Sequence, residues 1–86
     1  MVWIMPTAWR FDGLRVMIYP NDHRPAHVHI RGAGREAVFN LHCPDGPPEL
    51  RESFRFDARA LTRIADELQR VLQDLCTQWR TIHGDY

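Results

Sequence analysis

Hydrophobic periodicity changes once along this chain, and that change constrains the fold more than any other feature. Up to about residue 42 apolar and polar residues alternate; after Asp57 the apolar residues recur at spacings of three and four. Period two is a strand with one buried face, and period 3.6 is a helix with one buried stripe. The first segment opens with Trp9-Arg10-Phe11, then Asp12-Gly13, then Leu14-Arg15-Val16-Met17-Ile18-Tyr19. Asp-Gly between alternating runs predicts a hairpin, because a tight primed turn needs positive φ. Pro20-Asn21-Asp22 supplies turn chemistry, and His27-Val28-His29-Ile30-Arg31 alternates strictly. Gly32-Ala33-Gly34 then reverses the chain into Glu36-Ala37-Val38-Phe39-Asn40-Leu41.

The second half predicts one long helix over about 58–83, with Asp57 as N-cap and Gly84 as its stop. Leu61, Ile64, Ala65, Leu68, Val71, Leu72, Leu75, Trp79 and Ile82 form its apolar stripe. A sheet with one apolar face needs a cover, and this stripe provides it. The expected architecture is therefore α+β: a four-stranded antiparallel β-meander over about 7–42, a loop over 43–49, and one C-terminal helix. Leu50 to Phe56 is the candidate for a short fifth, edge strand. The whole of residues 1–86 reads as one domain, since a chain this short buries only about 60% of its unfolded surface and supports a single core.

Composition narrows the function classes. Hydrophobic residues at 44% and charged residues at 26% describe a globular chain. No segment approaches the roughly 18 apolar residues of a membrane span. The Met1 to Pro6 start lacks the basic opening of a signal peptide. With no secretion signal and no C-x-x-C pair, Cys43 and Cys76 are expected to be unpaired, Cys76 as a small core residue, in a reducing cytoplasm. Eleven cations balance eleven acids, which argues against a strongly basic nucleic-acid binder. All eleven cations are arginine, a bias that GC-rich codons produce on their own. Their distribution is uneven. Residues 10–35 hold five arginines and three histidines against Asp12 and Asp22, whereas six arginines face eight acids from Asp45 onward.

Strand alternation sorts the first half onto two faces. Leu14, Val16, Ile18, Val28, Ile30, Ala37, Phe39 and Leu41 make the core. Arg15, Met17, Tyr19, His27, His29, Arg31, Glu36, Val38 and Asn40 share the other face, with Arg10 joining them. Three readings fit that face. In the first it binds or cleaves RNA without metal: His27 and His29, about 7 Å apart along the strand, act as base and acid, while Arg15, Arg31, Arg10 and Tyr19 hold phosphate. In the second, His-x-His chelates a metal through His27 and His29, with His23, His42 or Glu36 as third ligand. In the third, the histidines are hydrogen-bonded structural groups, or the face docks another protein. His23 in its turn, His42 at a strand end and His83 at the helix terminus have plain structural readings, and Trp3, Trp9 and Trp79 read as packing.

The residues Met5-Pro6-Thr7, Ile18-Tyr19 and His23-Arg24-Pro25-Ala26-His27-Val28-His29-Ile30-Arg31-Gly32 resemble a bacterial family known as domain of unknown function 4160. The resemblance continues through Glu36-Ala37-Val38-Phe39 to the terminal helix, and Cys43 to Glu52 and Trp79 to Gly84 look like one subgroup of it. The family more often has Pro-Pro before the first strand histidine, where this chain has Pro25-Ala26. Its genes often lie beside a second small gene and are regarded as a toxin–antitoxin module. The resemblance thus implies a cytoplasmic, toxin-like, RNA-acting protein with a neighbour-encoded antitoxin-like partner. No cofactor and no membrane are expected, and a homo-oligomer is compatible with the chain's size.

Overall fold

Two turns of the same chemistry set the first half of the chain. Asp12 and Gly13 hold φ of 50° and 73°, and Ala33 and Gly34 hold 52° and 72°. Positive φ at both central residues is the primed turn whose twist matches that of the flanking strands. The computed structural model describes residues 7–86; Trp3, read as a packing residue, and Met5-Pro6 lie outside the described residues. The first turn joins β1 (Thr7–Phe11) to β2 (Leu14–Met17), and the second joins β3 (His27–Gly32) to β4 (Arg35–Asn40). Gly32 is needed at the close of β3, because a Cβ there would stand 2.8 Å from Leu14 Cδ2 and 2.9 Å from the Gly13 carbonyl.

The meander runs in chain order and every neighbouring pair is antiparallel; beyond the four expected strands it has a fifth, the candidate edge strand, which begins at Glu49 and ends at Phe54. β5 (Glu49–Phe54) occupies the edge beyond β4. All six of its residues are exposed, and the register slips opposite Val38 and Phe39. A strand with no buried face carries no alternation, so periodicity gave this segment little signal.

The helical half also departs from one continuous rod. α1 (Ala58–Arg70) and α2 (Leu72–His83) meet at Val71, whose φ of −109° and ψ of 18° interrupt the helix for one residue. Ile64, Leu68, Val71, Leu72, Leu75 and Trp79 remain buried straight through the break, so the apolar stripe conceals it. The ends behave as expected: Asp57 Oδ1 accepts from the Ala60 amide at 2.8 Å, and Gly84 closes α2 with φ of 82°. Leu61 is half-buried and Ile82 is 40% exposed, so the outer members of the stripe lie at the core's rim.

The strand core residues assigned from alternation are all buried, from Leu14 on β2 to Leu41 after β4, and they meet the helix stripe in one cluster. Cys43 and Cys76 correct the expectation of unpaired thiols: they are joined in a disulfide across 33 residues, with Cα atoms 5.8 Å apart. The β4–β5 loop folds back onto α2, a proximity that sequence spacing does not reveal. That ground for placing the chain in a reducing cytoplasm falls away with it.

The same loop sits against the helix break. Gly46 has φ of 76°, and a Cβ there would lie 2.8 Å from Leu72 Cδ2 and 2.9 Å from Gln69 Oε1. Gly46→Ala adds both backbone strain and a clash, so we expect urea unfolding to show a loss of about 1–2 kcal/mol. At the opposite edge, Trp9 Nε1 donates to Glu67 Oε2 at 2.7 Å and Gln78 Nε2 donates to the Ala8 carbonyl at 3.1 Å, tying β1 to both helices. Hydrogen bonding to Arg70, assisted by Trp9, holds the Glu67 carboxyl below its usual range. A depressed carboxyl stabilises the fold above its unfolded pKa, near 4.3, and that contribution is lost as pH falls through the folded value. Glu67→Gln should therefore cost about 1 kcal/mol at neutral pH, with the gap from the parent closing in acid; an unchanged gap below about pH 3 would contradict the assignment.

Candidate functional site

The outer face of the sheet is organised by the turn before β3. Tyr19 and Asp22 bracket that turn: the Asp22 amide donates to the Tyr19 carbonyl and the Tyr19 amide donates to Asp22 Oδ2, both at 3.0 Å. A side chain bonded back onto its own turn is a common role for Asp. Here it leaves the second oxygen, Oδ1, aimed at β3. His29 Nε2 lies 3.2 Å from that oxygen and His27 Nε2 lies 3.5 Å from it. Asp22 is the residue that sequence reasoning missed. The signal was there as Asp22, His27 and His29 within eight residues, but the turn assignment gave Asp22 a sufficient local role.

His27 and His29 are not equivalent. The His27 side chain is only 8% exposed, whereas that of His29 is 26% exposed. His27 Nδ1 lies 2.9 Å from the Pro25 carbonyl. A carbonyl only accepts, so Nδ1 carries a proton and donates it. Its ring packs 5.2 Å from Trp79 on one side and 5.2 Å from His29 on the other, centre to centre. Tyr19 continues the series, edge to face with His29 at 4.8 Å. Trp79 is therefore both a core residue and the wall behind His27. Both ring nitrogens of His27 thus face groups of the fold, Nδ1 the Pro25 carbonyl and Nε2 the Asp22 carboxylate, and His29 is the member of the pair that reaches solvent.

The four residues expected to hold phosphate do come together. Arg10 pairs directly with Arg15 across β1 and β2, and Arg15 pairs directly with Arg31 across β2 and β3. Directly opposed residues share a face, so three exposed arginines form a row across three strands. Like charges placed opposite one another destabilise a sheet. One carboxylate relieves the row: Glu36, opposite Arg31 on β4, pairs with the Arg31 guanidinium, and Arg31 Nη1 also donates to the Tyr19 hydroxyl at 3.2 Å. Hydrogen bonding to Tyr19, then to Glu36, raises the Arg31 pKa above its ordinary value. Tyr19 therefore bridges the arginine row and the histidine pair.

The remaining sequence candidates supply no donor atom to the Asp22, His27 and His29 group. His23 is exposed and is not part of the group of donor atoms formed by Asp22, His27 and His29. His42 is exposed and paired with Glu49 at 2.9 Å, which holds the Glu49 carboxyl below its usual range. Glu36 is taken up by Arg31. His83 stacks 4.0 Å from Trp79, and its Nε2 is buried. An open cleft of about 470 Å³ runs over the centre, lined by Asp22, His23, His27, His29, Asn40 and Arg51 among others.

A family model described as Domain of unknown function (DUF4160) matches residues 13–80. No curated protein and no solved structure matches the chain. The matched span holds Asp22, His27, His29, Tyr19, Arg15 and Arg31, and leaves Arg10 outside. With the strand that carries both histidines, its turn and most of the helical cover inside the match, the chain belongs to the DUF4160 family.

Proposed function

We propose that this protein binds RNA through the outer face of its sheet, as the toxin-like member of a toxin–antitoxin pair. The observation that carries the reading is the row Arg10, Arg15, Arg31. Three cations against the single carboxylate of Glu36 leave the row with a surplus of positive charge, although the chain as a whole is neutral. Such a row costs stability in the free protein, and a bound polyanion removes that cost. Arginine suits the task because its planar fork matches two phosphate oxygens. Tyr19 and His29 beside the row offer flat rings on which an unpaired base can stack.

A metal-free acid–base pair has less support than binding. His27 is enclosed, with Nδ1 held by Pro25 and Nε2 facing Asp22, so it is poorly placed to exchange protons with a substrate. The neighbour-encoded partner belongs to the same proposal, as the protein that would cover this face and neutralise it.

The test is RNA binding by fluorescence anisotropy over a salt series, together with growth on expression in the native host without the partner. Single-stranded RNA should bind with an affinity that falls steeply as salt rises. Arg10→Ala and Arg15→Ala should each weaken binding and flatten the log–log salt slope by about 0.7, and Arg15→Ala should relieve growth arrest. Absence of RNA binding together with unimpeded growth overturns the proposal. Capture of the partner by the arginine face without RNA binding makes the face a protein-docking surface instead.

A further inference from the structure

We propose that Asp22, His27 and His29 form a binding site for a divalent ion of the zinc class. The inference stands on side chains other than the arginine row and does not depend on RNA binding. One donor atom from each of the three residues lies within 4.8 Å of the other two. Ligands held about 2.0–2.1 Å from a tetrahedral zinc ion are about 3.3 Å from one another. The two carboxylate–imidazole edges, at 3.2 and 3.5 Å, already have that length. The imidazole–imidazole edge is no longer than 4.8 Å, and a turn of the His29 ring, the more exposed of the two, would shorten it.

The surroundings of each ligand favour a cation over a plain hydrogen-bonded cluster. Since His27 Nδ1 donates to the Pro25 carbonyl, a neutral His27 ring presents the lone pair of Nε2 to Asp22 Oδ1. Two acceptors then face each other in a buried setting, and a positive charge between them resolves the conflict. A metal-bound histidine commonly donates the proton of its far nitrogen to a backbone carbonyl, which fixes the tautomer and the orientation of the ring. Asp22 is fixed in the same manner, with Oδ2 held by the Tyr19 amide and Oδ1 turned toward the two imidazoles. Asn40, directly opposite His27 on β4 and lining the same cleft, has a buried side-chain oxygen with no hydrogen-bond partner among the described residues.

Two imidazole nitrogens and one carboxylate oxygen suit zinc among the common divalent ions, whereas magnesium and calcium prefer all-oxygen sites. Three protein ligands leave a coordination position open, and the cleft is the side from which water or an anionic oxygen reaches it. The third ligand is Asp22 rather than His23, His42 or Glu36, the three that the sequence suggests.

Calorimetric titration of chelator-stripped, tag-free protein with zinc tests the site. One ion per folded chain is expected, and Asp22→Asn and His29→Ala should each weaken binding at least tenfold. His23→Ala and Arg15→Ala should bind zinc as the parent does, which separates this site from the RNA-binding proposal. Cobalt(II) added to the parent protein should give the absorption bands of a low-coordinate nitrogen–oxygen site, a readout that needs no variant to fold. The proposal is overturned if the parent takes up no stoichiometric zinc, if Asp22→Asn binds it undiminished, or if His23→Ala abolishes binding.

Discussion

β3 is the middle strand of five, and its alternation is the constraint to which the other elements answer. Val28 and Ile30 are fully buried on one side, in the cluster completed by Phe39, Leu68, Leu75 and Trp79. His27, His29 and Arg31 necessarily take the other side, because successive strand residues point oppositely. A shift of one residue in register would bury Arg31 and expose Ile30, so the apolar core and the polar face fix each other. The site is thus placed by the hydrophobic effect acting on residues that have no part in its chemistry.

Burying a histidine then sets further requirements. His27 is 6% exposed, and a buried polar ring must find partners or destabilise the fold. Pro25 supplies an acceptor for Nδ1, Trp79 walls the ring from behind, and Nε2 is left facing the Asp22 carboxylate. Asp22 in turn is oriented by the backbone of Tyr19, and the Tyr19 hydroxyl accepts from Arg31. Turn, histidine pair and arginine row therefore form one connected polar network. Charge neutrality of the whole chain conceals it, since the row and the cluster are local and the balancing acids lie mainly in the second half.

What could be read from the sequence follows from where burial leaves a pattern. The Asp12-Gly13 turn, the Ala33-Gly34 turn, the two faces of β2, β3 and β4, and both helix caps all have local chemical signatures, and all appear in the structure. β5 left little trace because no face of it is buried, and the break at Val71 left none because the apolar stripe continues across it. The Cys43–Cys76 bond and the wall that Trp79 gives His27 depend on contacts between distant segments, which spacing alone does not encode. At the site, the nearness of Arg10, Arg15 and Arg31 was legible because strand pairing converts alternation into proximity, whereas Tyr19, two residues past β2, reaches the row through its hydroxyl. Asp22 was not legible, because a turn residue bonding back to its own backbone looks the same in sequence whether or not its second oxygen has another task.

The polar network and the ion site both depend on the orientation of His27, with Nδ1 donating to Pro25 and Nε2 turned toward Asp22. Long-range proton–nitrogen correlation NMR of the imidazole rings measures this directly. The structure requires the His27 Nδ1 to carry a proton, with its nitrogen shift typical of a protonated, hydrogen-bonded site. A neutral His27 ring protonated on Nε2 alone would remove the lone pair from the Asp22 side and contradict the arrangement on which both the network and the ion site depend.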